Sequence, residues 1–193
     1  NNNNAGQLHI TVTSKMAGKT VLAVFVNRKW QNLEVWFNLD PSQDKHEALL
    51  DAVDKGKLGM VKYLSTLTGI DINHQNKYDD TAFTLAAYKG HLDIVKYLFT
   101  LDGVDIKHQD KYGFTAFSSA AFNGHLDTVK YFSTLDGVDS NYLNKDGLTA
   151  FSNAVFKVHL ETIKYLATLA GIDIYHQYKT VELAFSLSAF NRH

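Results

Sequence analysis

The sequence predicts a mainly α fold: a solenoid of stacked helix pairs, four repeats and a partial fifth, behind a small β-rich N-terminal segment. Two series of recurring segments predict the stack. GMVKYLST (59–66), DIVKYLFT (93–100), DTVKYFST (127–134) and ETIKYLAT (161–168) each begin 34 residues after the last. TAFTLAAYKGHL from Thr81, TAFSSAAFNGHL from Thr115, TAFSNAVFKVHL from Thr149 and LAFSLSAFNRH from Leu183 keep the same step. Residues 76–109 and 110–143 are identical at 20 of 34 positions, and self-similarity at that period is the mark of a repeat architecture. The repeats fall at 42–75, 76–109, 110–143 and 144–177, with a partial copy at 178–193 and an N-terminal segment at 1–41.

The N-terminal segment does not follow the period. Residues 1–4 read as a disordered leader. Leu8, Ile10 and Val12 alternate with polar neighbours, 14–19 looks like a turn, and 20–26 is an apolar run rich in valine. Leu33, Val35, Phe37 and Leu39 alternate again, so a three-stranded antiparallel meander is expected. The alternative is a degenerate repeat acting as a cap, since 33–37 (LEVWF) echoes the start of a second helix. Pro41, the only proline, marks the junction.

Each repeat then reads as two short helices and a loop. The first helix, near 82–89, carries Ala86 and Ala87, matched by Ala120 and Ala121, and small side chains let neighbouring helices approach closely. Gly90 and Gly124 break the chain before His91 and His125 open the next helix. In the second helix of repeat two (91–101), Asp93, Lys96 and Thr100 share one narrow arc, and Leu92, Ile94, Val95, Tyr97, Leu98, Phe99 and Leu101 fill most of the remainder. A helix that apolar must be covered on several sides, which stacking against sibling copies accomplishes. Gly103, Gly137 and Gly171 are expected to end the second helices, and 110–113 (DKYG) and 144–147 (NKDG) are turn sequences between repeats.

These residues resemble the ankyrin repeat family over about 42–193. The family's D-x-x-G-x-T-P-L-H, A-A-x-x-G-H pattern is matched by Asp110, Gly113, Thr115, Ala116, Phe117, Ser118, Ala120, Ala121, Gly124 and His125. Three departures stand out. Ala, with Ser or Thr, replaces the proline and histidine of T-P-L-H, so that histidine's buried hydrogen bond is missing. The period is 34, one residue longer than the family's. The last copy stops before a second helix, so either the natural chain continues or something else caps this end.

Composition narrows the function. Apolar residues are 45% and charged residues 20%, enough for a packed core. Nineteen basic and twenty acidic side chains leave a formal charge of −1, which argues against affinity for nucleic acid or an anionic membrane. No cysteine is present for a disulfide, thiolate metal site or nucleophile, and no apolar run is of membrane-spanning length. With no secretory signal in 1–6, the expected location is the cytoplasm, or the host's cytoplasm if the source infects cells.

Candidate chemistry reduces to architecture. Residues 17–20 (AGKT) resemble the end of a phosphate loop, but Thr13 stands where the first glycine belongs and a strand follows. His91, His125, His159 and His193 form one row and His74, His108 and His176 another; a row spreads ligands that a metal needs converged, so hydrogen bonding within each inter-helix turn is expected. Ser118, Ser119 and His125 lack an orienting carboxylate. Asp93 with Lys96, Asp127 with Lys130, and Glu161 with Lys164 are expected as exposed ion pairs. Neither catalysis nor a cofactor is expected.

The resemblance implies that loop tips and the exposed edge of each first helix hold a partner. Carried over, those positions are Lys77, Tyr78, Asp80, Tyr88 and Lys89 in repeat two, and Lys111, Tyr112, Phe114, Phe122 and Asn123 in repeat three. Repeat four supplies Lys145, Asp146, Leu148, Phe156 and Lys157. Large aromatics dominate interface energetics, so Tyr78, Tyr112, Phe114 and Leu148 are the sharper candidates, with Phe114 expected to need a partner. Tyr88, Phe122, Phe156 and Phe190 share one repeated position and are expected to stack on one another. The expected function is non-catalytic protein–protein interaction through the concave face. The alternatives are a targeting scaffold for an activity in 1–41, and self-association through the C-terminal end around Leu183, Phe185, Leu187 and Phe190.

Overall fold

The computed structural model describes residues 44–174 and, before them, the backbone of three strands. Strand β1 (Thr11–Met16) pairs antiparallel with β2 (Lys19–Val26), which pairs antiparallel with β3 (Lys29–Gln31). Two details differ from expectation. Residues 14–16 extend β1 instead of opening a turn, with Met16 paired to Lys19, and the third strand lies at 29–31, ahead of the alternation at 33–39. Residues 33–39, Pro41, His176 and the partial copy at 178–193 lie outside the described residues.

Eight helices follow among the described residues: α1 (Lys45–Asp54), α2 (Leu58–Leu64), α3 (Ala82–Lys89), α4 (Leu92–Phe99), α5 (Ala116–Phe122), α6 (Leu126–Phe132), α7 (Ala150–Phe156) and α8 (Leu160–Leu166). Each odd helix packs on its even partner, and the pairs align in register: α1, α3, α5 and α7 make one row, and α2, α4, α6 and α8 the other. The alanines explain the first row. Ala82, Ala86, Ala87, Ala116, Ala120, Ala121, Ala150 and Ala154 are all buried between neighbouring helices. The second row buries larger side chains (Ile94, Val95, Leu98, Val129, Phe132, Leu166), and Phe132 receives Phe83 edge-on at 5.6 Å and Phe117 at 6.4 Å.

Helices α3 and α5 begin on a hydroxyl at both ends of a capping box. Thr84 N donates to Thr81 Oγ1 (3.3 Å) and Thr81 N to Thr84 Oγ1 (2.9 Å), and Thr115 with Ser118 repeats the arrangement. The residue standing where T-P-L-H has histidine therefore becomes the cap's reciprocal partner at the third helical position. At the other end, Gly56, Gly90 and Gly124 adopt left-handed φ of 65°, 74° and 73°. They do more than end a helix. A Cβ on Gly56 would meet the ring of His91 at 2.8 Å, and one on Gly90 or Gly124 would lie closer still to His125 or His159. Nε2 of His125 donates to the carbonyl oxygen of Tyr88 (2.9 Å), and that of His159 to Phe122 (3.0 Å). These bonds cross to the preceding repeat, not within the inter-helix turn as expected, and satisfy a carbonyl in that helix's last turn.

The second helices end earlier than the glycines suggested, at Phe99, Phe132 and Leu166, and Gly103, Gly137 and Gly171 take positive φ in the following turn. Along this row, Lys62, Lys96 and Lys130 lie over the rings of Tyr97, Tyr131 and Tyr165 of the next repeat, at 5.4, 5.4 and 5.8 Å. Lys96 and Lys130 are thus engaged with rings, while Glu161 and Lys164 do form an ion pair, at 2.7 Å. Ser65 bonds Tyr97 Oη (2.7 Å) and Ser133 bonds Tyr165 Oη (2.5 Å); Phe99, at the equivalent place, meets Tyr131 edge-on at 6.2 Å instead. Asn73 bridges to Gly103 O (2.7 Å) and Asp105 N (2.9 Å), and Asn141 to Gly171 O (2.6 Å) and Asp173 N (2.9 Å). Lys107 occupies the corresponding position between them.

Candidate partner-binding groove

The loop tips are built by one side chain each. Asn76 Oδ1 accepts from Tyr78 N (2.7 Å) and Asp80 N (3.0 Å), Asp110 Oδ1 from Tyr112 N and Phe114 N (both 2.8 Å), and Asn144 Oδ1 from Asp146 N (3.0 Å) and Leu148 N (2.9 Å). Short polar side chains that bond their own backbone favour this kind of turn. Adjacent tips are joined by Lys111 N to Tyr78 O (3.0 Å) and Lys145 N to Tyr112 O (3.1 Å). The tips therefore form a continuous strip that faces the row of first helices.

Between strip and helices lies a groove of about 1060 Å³. Ten of the fifteen side chains singled out as partner-binding line it: Lys77, Tyr78, Asp80, Tyr88, Lys89, Tyr112, Phe114, Phe122, Asp146 and Phe156. Tyr78 (42% exposed), Tyr88 (45%), Tyr112 (54%) and Phe156 (69%) hold large rings in water. Five, Lys111, Asn123, Lys145, Leu148 and Lys157, do not line it. Lys111 sits above the rings of Tyr78 (4.2 Å) and Tyr112 (5.0 Å), Asn123 Nδ2 folds back to Ser119 O (2.9 Å), and Leu148 is half-buried. Lys145 Nζ donates to Lys111 O (2.5 Å) on the same strip.

Two expectations about the rings need correction. Phe114 meets Phe122 edge-on at 5.1 Å, so its half-buried ring has an intramolecular partner. The repeated aromatic position shows no ladder either: the ring Phe122 meets is Phe114, and Lys157 Nζ lies 4.5 Å from Phe122 and 5.6 Å from Phe156. A cation inserted between two rings separates them while still satisfying both faces. Phe190 lies outside the described residues.

The sequence reading missed the groove's acidic end. Glu47, Leu50, Asp51 and Asp54 of α1 line it, together with Asn76 and Asp110 of the tips and Leu85 and Ser119 of the helices. The signal was the period itself. Asp51 stands one period before Leu85 and Asp54 one period before Tyr88, although repeat one lacks the T-A-F signature that drew attention elsewhere. Asn153 follows Ser119 by the same step, yet it is buried with both polar side-chain atoms unbonded. Burial pushes the Asp80 carboxyl above its ordinary range; Asn76 and Thr84 oppose this by hydrogen bonding and His108 by its charge, while the nearby Asp110 charge adds to it.

The described histidines near the site have other contacts. His108 Nε2 is taken by Asp79 O (2.6 Å), His46 and His74 stack at 4.7 Å, and among the described residues no group of histidines and carboxylates is arranged to hold a metal. Lys19 and Thr20 lie in strand β2, not in the helix a phosphate loop requires. Among the described residues, no helix is long and apolar enough to cross a membrane.

A family model described as "Ankyrin repeats (3 copies)" matches the chain over residues 8–110, 49–144 and 83–178. The match starts well before residue 42, so the likeness reaches further towards the N-terminus than the motifs alone suggested. No curated protein matches the chain. Recurring helix pairs, tips in register and this match lead to one conclusion: the chain belongs to the ankyrin repeat family.

Proposed function

We propose that this protein is a non-catalytic interaction module, a solenoid whose concave face captures another protein. Ankyrin repeats generally act in protein–protein interaction, and the observation that carries the reading here is the gathering of exposed rings from three successive repeats into one groove. Water-exposed tyrosines on rigid, mutually bonded tips lose little freedom on binding, so few contacts suffice for affinity. We take the repeats at 42–75, 76–109, 110–143 and 144–177 as the binding scaffold, residues 1–41 as an appendage, and the cytoplasm as its location. The test compares capture by the wild-type chain and by Tyr88→Ala/Tyr112→Ala, with bound proteins identified by mass spectrometry. A protein held by the wild type and lost from the variant, with thermal unfolding unchanged, supports the reading; equal capture by both sinks it.

A second reading rests on a surface that shares only Phe156 with the groove. Val155, Phe156, Val158 and Leu160 are all exposed on α7, α8 and the turn between them, which is compatible with self-association at this end of the stack. Light scattering at rising concentration tests it: a constant mass rules it out.

A further inference from the structure

The charge of the groove is uneven along its length. Six carboxylates line it (Glu47, Asp51, Asp54, Asp80, Asp110 and Asp146) against two ammonium groups, a formal −4 in a chain whose total is −1. One ammonium, Lys89, is spent on Asp54 at 2.7 Å, and Lys55, outside the lining, pairs with Asp51 at 2.6 Å. The other, Lys77, lies over Tyr78 at 5.0 Å. Three of the acids come from α1 and a fourth, Asp80, from the adjacent tip, whereas Phe114, Phe122 and Phe156 come from the repeats beyond. One end thus holds the denser carboxylates and the other the phenylalanines, with Asp110 and Asp146 carrying negative charge along the tips between them. Ring faces here already accept cations, as Lys111 over Tyr78 (4.2 Å) and Lys157 over Phe122 (4.5 Å) demonstrate.

We propose that the groove's occupant is a cationic–apolar segment of a partner protein, its Lys/Arg cluster over the α1 carboxylates and Asp80, its apolar side chain on the Phe114–Phe122–Phe156 rings. This rests on the reading that the groove binds protein. Charge complementarity names the occupant: a polyanion meets four carboxylates that no lysine pairs among the described residues (Glu47, Asp80, Asp110 and Asp146), and an uncharged apolar segment leaves them without a partner. The raised titration of Asp80 fits, because burial beside Asp110 leaves its carboxylate in a negative field that an arriving guanidinium would relieve.

The test uses the full chain, immobilised, against a display library of random short peptides. The enriched peptides should carry a Lys/Arg cluster next to a leucine or aromatic residue. A fluorescein-labelled peptide with an Arg-Lys-Arg block followed by Leu-Phe should then bind with an affinity that falls steeply with salt. Asp51→Asn, an exposed position, should weaken it about three- to tenfold, and Phe122→Ala about tenfold or more, with circular dichroism melts of both variants recorded alongside. Enrichment of acidic peptides overturns the proposal. Enrichment of uncharged peptides that bind Asp51→Asn undiminished and Phe122→Ala poorly overturns it while preserving the binding role of the groove. Enrichment of no peptide at all overturns both.

Discussion

Replacing Gly90 by alanine separates two costs that coincide at this position. The first is backbone strain, since φ is 74° and a Cβ in the left-handed region costs about 1–2 kcal/mol. The second is steric: the new methyl would occupy the space of the His125 imidazole and break its bond to Tyr88 O, about 0.5–1.5 kcal/mol before lost packing is counted. Gly103 provides the control, because its φ is 81° and nothing lies within 4 Å of its Cβ. Gly103→Ala should therefore lose only the strain, and Gly90→Ala about 1–2 kcal/mol more, near 2–4 kcal/mol in all. Urea unfolding followed by circular dichroism measures both. Combining Gly90→Ala with His125→Ala should recover part of the difference, because the clash disappears with the ring. Equal losses for Gly90→Ala and Gly103→Ala would refute the idea that the glycine makes room for the histidine.

Three further outcomes are expected. Val158 holds φ 61° where the other repeats have glycine, so Val158→Gly should stabilise the chain by about 1 kcal/mol, read as a raised Tm. Lys107→Asn should supply the bridge that Asn73 and Asn141 make at the other two junctions, adding about 0.5–1.5 kcal/mol in urea unfolding. Asp80 titrates above its unfolded value, so its ionised form opposes folding; that penalty is present at neutral pH and is relieved as pH falls through the folded pKa towards the unfolded one. Asp80→Asn should accordingly raise Tm near neutrality, and the advantage should vanish in acid.

The stack was legible because its evidence is repetition, which survives any uncertainty about single propensities. Thr81, Ala86, Gly90 and His91 recur with their spacing, so the helix pairs and the glycine breaks between them could be placed before any contact was known. Contacts between copies were not legible in the same way. A histidine recurring every 34 residues suits a bond within its own turn as well as one to the neighbouring repeat, and only three-dimensional packing decides. Lys96 and Lys130 read as ion-pair partners of the acid three residues earlier, because a helical wheel takes no account of the next helix, whose tyrosine lies under the ammonium. Phe114 was assigned to a partner for the same reason: its companion Phe122 is eight residues on, across a loop and a helix. The groove's acidic end escaped notice because repeat one has the period without the motif.

The junction between α4 and α6 differs from its two neighbours. There Phe99 replaces the hydroxyl that ties Tyr97 or Tyr165, and Lys107 replaces the bridging asparagine, so ring contacts stand where directional bonds stand elsewhere. A pair of rings slides and tilts at little expense, whereas a bridging amide tolerates only a narrow angle. Bending of the array will therefore concentrate at its midpoint, like a ruler scored on its back, and the mouth of the cleft on the opposite side will widen or narrow as one hinge to suit whatever enters.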